Sequence, residues 1–467
     1  MIRKAVYSLW QPGGIAVNGG FLKNRHLGQT LALSLEYSKK QFETVELVTN
    51  KAGYELLIKK YDLPFDTVKF FPTEFDTLNP DFWAYAKIYA YSIQEEPFIH
   101  IDNDVIVFNK IPQEKLEAPL LFQNKEYFKE HTGYTRLIDE ALTFPKLDFS
   151  LFKNLPQFAY NCGVVGCNSL EFIVEWKKIV DEYLFNPRNK NTWDGIKDKH
   201  SHNHLYEQFF SSSLISRDNI KAQTLLADDF YVSTYRDKVG LVHLWGASKR
   251  DLDTMERVKQ RLLHEFPKYK DIFDVEETHS EIFSDIIRSE KWGKGQGSGG
   301  GSSIEITKGY REFLQKFLKD KNIKTCLDFG CGDWQFSKLI NWSGIKYLGL
   351  DCVQKIVEEN NELYSEDNIK FQYQSDNILL HNNYDLLIVK DVLIHWSNSE
   401  INEFLKLVRE LDFKYILITT QVEVVNNYEI KTGEYHPVNL NESPFNCNCE
   451  EIFKWSSDNK ITYLLTK

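Results

Sequence analysis

Two carboxylates interrupt a long apolar run early in the chain. Phe98-Ile99-His100-Ile101 reads as a buried strand, Asp102-Asn103-Asp104 follows it, and Val105-Ile106-Val107-Phe108 resumes the apolar pattern. An ionised carboxylate in such surroundings carries a large desolvation cost and needs a compensating partner. Side chains of an extended chain alternate, so Asp102 and Asp104 point the same way. Two converging oxygen donors suit Mn²⁺ or Mg²⁺, and such a cation can in turn hold a nucleotide diphosphate. A lone Asp-x-Asp is more often a solvated turn; the apolar strands on both sides are what favour a metal site here.

The flanking pattern predicts a parallel α/β sheet. Apolar segments at 5–9, 45–49 and 67–71 read as strands, and they alternate with helical patterns at 27–37, 54–61 and 82–91, the last holding Lys87. Ligands of such sheets bind at the carboxyl ends of the strands, which is where the Asp pair falls. At 467 residues the chain exceeds one ordinary core, so two large domains or about three average ones are expected. A formal charge of −11 argues against nucleic acid as the main partner. No apolar run reaches eighteen residues, so no transmembrane segment is expected, and the first ten residues are too quickly polar for a signal peptide. Seven cysteines, an odd number scattered through both halves, fit a reducing compartment, and a cytoplasmic location is the expectation. Cys447-x-Cys449 has the wrong spacing for a zinc knuckle and no second pair beside it.

Two later stretches bear on the Asp pair. Tyr160-Asn161-Cys162-Gly163-Val164-Val165-Gly166-Cys167-Asn168 reads as a short strand with glycines where something must approach closely. Leu241-Val242-His243-Leu244-Trp245-Gly246-Ala247-Ser248-Lys249 is a second strand end, where His243 can supply a third metal ligand and Lys249 a diphosphate contact. Singly, these residues read as a core histidine and a solvated loop lysine. Together, the order Asp-x-Asp, Asn-x-Gly-Val, His-x-x-Gly-x-x-Lys resembles nucleotide-sugar glycosyltransferases of the GT-A fold, in particular the retaining family-eight group to which glycogenin belongs. Over roughly residues 1–250 that resemblance implies Asp102, Asp104 and His243 as ligands of Mn²⁺ or Mg²⁺, Lys249 on the donor diphosphate, and Gly246 letting the loop close on the phosphates. One departure is Arg250-Asp251, where Pro-Trp is usual. Glu207 and Gln208 are candidates for contacts near the sugar, beside the plainer reading of a helix face with a chance acid.

The expected organisation is a GT-A-like domain over 1–285, a Gly/Ser-rich segment over 286–303, and a second domain over 304–467. Composition makes the middle segment a flexible linker; Trp292 and Lys294, untypical of linkers, allow instead a loop of the second domain lying over a cofactor. Beyond it a helical pattern at 310–318 precedes Thr325-Cys326-Leu327-Asp328-Phe329-Gly330-Cys331-Gly332, a strand with a Gly-x-Gly turn. Strands ending in Asp351, near Asp376 and Asn377, and at Lys390 follow. This series resembles class I S-adenosylmethionine-dependent methyltransferases, and Gln335 stands where a dinucleotide-binding fold wants a third glycine. The resemblance implies Asp328, Gly330 and Gly332 beside the methionine part of S-adenosylmethionine, Asp351 on the ribose, and Asp376 and Asn377 on the adenine. Lys390 and His395 fall where the methyl is transferred, with His395 a candidate base and His436, in an insertion over 422–449, a second.

The fold class expected is therefore α/β, a GT-A nucleotide-sugar-binding domain followed by a Rossmann-like methyltransferase domain. The function expected is metal-dependent, retaining transfer from a nucleotide-sugar donor to a glycan or glycoconjugate acceptor, joined to O-methylation of a glycan hydroxyl. The alternative is a methyltransferase of a protein or small metabolite whose first domain binds a glycan or nucleotide sugar without turnover.

Overall fold

The computed structural model describes residues 1–12, 19–128, 133–153, 155–226, 240–288, 291–293, 297–374, 384–421, 426–455 and 459–466. The chain divides into two compact units, Met1–Val275 and Glu276–Lys467. Each is mixed α/β around a sheet rich in parallel pairs.

In the first unit the strands are β1 (Lys4–Leu9), β2 (Thr44–Thr49), β3 (Thr67–Phe70), β4 (Phe98–Ile101), β5 (Val105–Val107), β6 (Leu120–Phe122), β7 (Lys125–Tyr127), β8 (Phe158–Tyr160), β9 (Val164–Cys167), β10 (Ala222–Thr224) and β11 (Leu241–His243). The main sheet runs β10-β6-β9-β4-β1-β2-β3, with β9 antiparallel to both its neighbours. Every residue of β1 is buried, as a central strand covered on both faces requires. The helix Asn24–Lys39 buries Leu27, Leu31 and Leu35, spaced by four along one face. Successive strands leave β1 on one side as β2 and β3, and the chain returns on the other side as β4. That reversal is a topological switch point, and Asp102 immediately follows β4 at its carboxyl end.

Two local findings differ from the sequence reading. The segment 160–168 is not one strand: β8 pairs with β7, β9 enters the main sheet, and Asn161–Gly163 is the turn between them. The domain boundary falls at Val275 rather than at 285, because the helix His279–Arg288 buries Phe283 and Ile286 in the core of the second unit.

In the second unit the strands are β12 (Thr325–Phe329), β13 (Lys346–Asp351), β14 (Ile369–Tyr373), β15 (Leu386–Lys390), β16 (Tyr415–Gln421), β17 (Glu450–Trp455) and β18 (Lys460–Leu465). Their order is β14-β13-β12-β15-β16-β18-β17, parallel from β14 to β16, with β18 antiparallel to both β16 and β17. The helix Lys308–Asp320 buries Tyr310, Leu314, Phe317 and Leu318 on its inner face. The helix Asn398–Glu410 starts on a capping box in which Ser397 and Glu400 bond reciprocally. Here the switch point lies between β12 and β15.

The described part of the Gly/Ser segment is bonded to this sheet's ligand end. Ser298 donates its hydroxyl to Asp333 at 2.6 Å and accepts the Asp333 backbone N–H at 2.7 Å. Over these residues the linker reading is corrected in favour of a loop: the side-chain and backbone groups of Ser298 are both committed to the turn after β12.

Candidate functional site

Two clusters occupy the ligand ends of the two sheets. In the first unit, β5 continues directly from Asp104 and leaves the main sheet to pair with β11, with His243 opposite Val105. This pairing brings His243 to the Asp pair, its Nε2 lying 3.5 Å from an Asp104 carboxylate oxygen. One ligand atom from each of Asp102, Asp104 and His243 lies within 4.8 Å of the others. Gly163 packs against the imidazole. A Cβ there would stand 2.8 Å from His243 Cε1 and 2.5 Å from Gln123 Oε1, so the glycine is needed for the close approach.

A lysine pairs with each carboxylate. Lys87, from the helix Trp83–Ser92, reaches Asp102 at 2.8 Å and also pairs with Glu207. Lys249, in the turn Gly246–Arg250, pairs with Asp104 and donates to the Gly19 carbonyl at 2.8 Å. Burial pushes Asp102 up to about 7, with Lys87 opposing the rise and Asp104 and Glu207 adding to it. Burial alone would also raise Asp104, but the Lys249 ammonium and His243 outweigh it and hold that carboxyl below its ordinary range. Burial pushes His243 down to about 4, so its imidazole is neutral near pH 7 and has a lone pair to offer.

Two carboxylates and a neutral imidazole form an oxygen-rich donor set of the kind that Mn²⁺ takes, and Mg²⁺ with additional water. Glu207 and Gln208 lie on a π-helical turn, Leu205–Phe209, that directs both inward. Glu207 is 2% exposed and shares Lys87 with Asp102, while Gln208 accepts a hydrogen bond from Tyr134. In the sequence Lys87 is only the one cation of its helix; its link between Asp102 and Glu207 has no local signal.

The second unit holds a cavity of about 310 Å³ at the carboxyl ends of its parallel strands. Asp328, Gly330, Gly332, Asp351, Lys390 and His395 all line it. Gly330 and Gly332 adopt positive φ of 74° and 56°, and a Cβ on Gly332 would meet Ser298 Oγ at 2.2 Å. Asp351 accepts backbone N–H bonds from Gly332 at 3.0 Å and Val353 at 2.9 Å, and burial lifts it to about 6. Asp328 is also lifted to about 6 by burial, although the Tyr347 hydroxyl bonds it at 2.6 Å.

His395 stacks on Trp292, with ring centroids 4.7 Å apart. Its Nδ1 lies 2.9 Å from the Glu434 carbonyl, an acceptor only, so Nδ1 carries the proton and Nε2 the lone pair. Burial lowers its pKa. His436 is fully buried with Nδ1 on the Tyr428 carbonyl, and it is not among the cavity-lining residues. Asp376 and Asn377 lie outside the described residues, as does Lys294. Lys460 and Tyr435, both cavity-lining, were not singled out in the sequence.

A family model described as a family of unknown function, DUF6734, matches residues 3–275. No curated protein matches the chain. Among solved structures, the methyltransferase domain of bacterial CtHen1-C is 18% identical over 24% of this chain and 64% of that one, with a TM-score of 0.22. Magnesium protoporphyrin IX methyltransferase from Synechocystis PCC 6803, with bound SAH, is 18% identical over 36% of this chain and 74% of that one, TM-score 0.22. WbdD is 17% identical over 34% of this chain and 40% of that one, TM-score 0.28. The chain thus spans under two thirds of the length of CtHen1-C and of WbdD. These TM-scores are too low to establish a common fold.

Proposed function

The chain belongs to the family of unknown function DUF6734, and from its two sites we propose that it is a two-headed transferase, a metal-dependent glycosyltransferase joined to an S-adenosylmethionine-dependent methyltransferase. The observation that carries the first half is the convergence of Asp102, Asp104 and His243 from two different strand ends, with Lys249 beside them. A binding module for a neutral glycan has no diphosphate to neutralise and so does not need Lys249 beside the set.

Asp102, Asp104 and His243 would hold Mn²⁺ or Mg²⁺, which supplies positive charge where the nucleoside diphosphate leaves. Lys249 adds a second positive charge on the same side, stabilising the departing diphosphate in the transition state. Lys87 holds Asp102 in place and joins it to Glu207. Glu207, buried and paired with Lys87, is therefore tied to Asp102 and is not an open base. In a retaining reaction the departing phosphate itself can take the acceptor's proton, so no strong base is required.

In the second unit, the Gly330–Gly332 turn lies at the switch point with Asp351 one strand further along the same side, which suits a nucleoside bearing an amino-acid tail. Asp351 would accept from the ribose hydroxyls, and Asp328 would border the methionine part. His395 supplies a neutral Nε2 to the cavity as general base for a hydroxyl acceptor, its ring held by Trp292 and Glu434. An O-methylation of a glycan hydroxyl is the reading that joins both halves.

The test is turnover. The intact protein is incubated with UDP-, GDP-, CMP- and dTDP-sugars, with Mn²⁺ or with chelator, and release of the nucleoside diphosphate (CMP from the CMP-sugars) is followed. Metal-dependent release from one donor supports the first half; no release from any of them counts against it. Binding of S-adenosylhomocysteine, measured by calorimetry, decides the second half separately.

A further inference from the structure

Lys460 is the first residue of β18, the strand that runs against its parallel neighbours. Its amino end therefore lies where β15 and β16 have their carboxyl ends, opposite Gln421 in the register. That placement delivers the ammonium to the ligand end of the sheet, where Lys460 lines the cavity with its side chain only 4% exposed. Lys460 and Lys390 each reach the same Asp391 carboxylate oxygen at 2.6 Å. Asp391 holds a φ of 59°, a backbone conformation uncommon for a residue with a side chain. Opposite them, a Cβ on Gly301 would stand 2.6 Å from Lys460 Nζ, so the Gly/Ser loop leaves the ammonium close to bare backbone.

Resting on the methyltransferase reading, we propose that Lys460, with Lys390 and Asp391, forms a subsite for an oxyanion carried by the methyl acceptor, a carboxylate or phosphate near the hydroxyl that is methylated. Buried ammoniums directed at a cavity form short, charge-assisted hydrogen bonds to such a group. The position within the sheet assigns the anion to the acceptor. The Gly330–Gly332 turn and Asp351 follow β12 and β13, whereas β18 is three places from β12 in the sheet. At the usual strand spacing the backbone of Lys460 is offset from β12 by roughly 14 Å, and its side chain reaches back only as far as Asp391, which follows β15. His395 follows β15, on the same side as Lys460. The cofactor's own carboxylate is the other possible source of the same chemistry.

The experiment separates the two sources and also isolates failure of the underlying reading. Affinities of S-adenosylhomocysteine and of 5′-methylthioadenosine, which lacks the amino-acid tail, are measured for the wild type and for Lys460→Met. The S-adenosylhomocysteine-loaded proteins are then melted with inorganic phosphate or with chloride at equal ionic strength. The proposal expects the nucleoside affinities of Lys460→Met to stay within about twofold of wild type, and phosphate to raise the melting temperature of the wild type but not of the variant. A loss of tenfold or more for S-adenosylhomocysteine alone would reassign the subsite to the cofactor and overturn the acceptor assignment. Equal response of wild type and variant to phosphate overturns it as well. Should Lys460→Met not fold, Lys460→Gln replaces it; should neither fold, phosphate without effect on the loaded wild type is sufficient to reject the subsite. If the wild type binds neither nucleoside, the methyltransferase reading itself has failed.

Discussion

The His243 imidazole lies 3.5 Å from an Asp104 carboxylate oxygen, and the contact depends on one strand pairing, β11 against β5. The Asp pair is thus completed by a residue from a separate strand end. His243→Ala and Asp104→Asn are each expected to weaken Mn²⁺ binding by more than about tenfold, a loss that even outer-shell partners of a metal ligand can cause. Titration calorimetry with Mn²⁺ reads this directly; unchanged affinity in both variants would remove the site.

Lys87 joins Asp102 to Glu207 in a nearly closed setting, with its own side chain 10% exposed. Burial would lower the lysine's pKa, but the two carboxylates outweigh it and keep it charged. Lys87→Met leaves two buried acids without their cation and is expected to cost about 3–5 kcal/mol of stability at neutral pH. Urea denaturation measures it, and the deficit should shrink on acidification as the carboxyls protonate.

Glu400 ties three segments of the second unit together. It accepts from His279 Nε2 at 2.7 Å, from the Ser397 backbone N–H at 2.8 Å and hydroxyl at 2.7 Å, and from Thr432. Burial would raise it, but the bonds from His279, Thr432 and Ser397 outweigh this and bring it down to about 2. A depressed carboxyl contributes stability that is fully present above its unfolded pKa and is lost as pH falls through the folded one. Glu400→Gln should therefore be less stable than wild type at pH 7, by on the order of 2 kcal/mol after allowing for solvent screening. The difference should close between about pH 4.5 and pH 2. A gap that is constant with pH would mean that the carboxylate charge is not what matters.

Gly332 combines positive φ with contact to Ser298, so Gly332→Ala strains the backbone and displaces the loop that covers the turn. S-adenosylhomocysteine affinity should fall more than tenfold, with a loss of stability of about 1–3 kcal/mol. Normal affinity in this variant would show that the Gly/Ser loop does not border the ligand.

What was legible in the sequence was local. The period-two placement of Asp102 and Asp104 and the strand–turn pattern around Gly330 and Gly332 depend on neighbours within a few residues. His243 was legible only through the order of motifs, because the β11–β5 pairing that places it is non-local. The Gly/Ser segment shows why composition misleads: flexibility is a property of the isolated stretch, whereas Ser298 is held by Asp333, 35 positions away. Lys460 left no trace, since one lysine at the start of a late strand acquires meaning only when that strand is known to run antiparallel. Ile282-Phe283 and Ile286-Ile287 make an apolar patch in the sequence, but which of two cores their helix joins cannot be read from its own residues.

The most direct test of the whole account is a thermal-shift comparison of wild type and Asp102→Ala with the donor panel, each with and without Mn²⁺. Ligand at about a hundred times its Kd adds roughly 2.7 kcal/mol to the folded state, a shift readily seen. The account predicts stabilisation by one nucleotide sugar that requires Mn²⁺ and disappears in Asp102→Ala. Stabilisation that persists without metal or survives in the variant, or none with any donor, would contradict it and leave the first unit without the chemistry assigned to it.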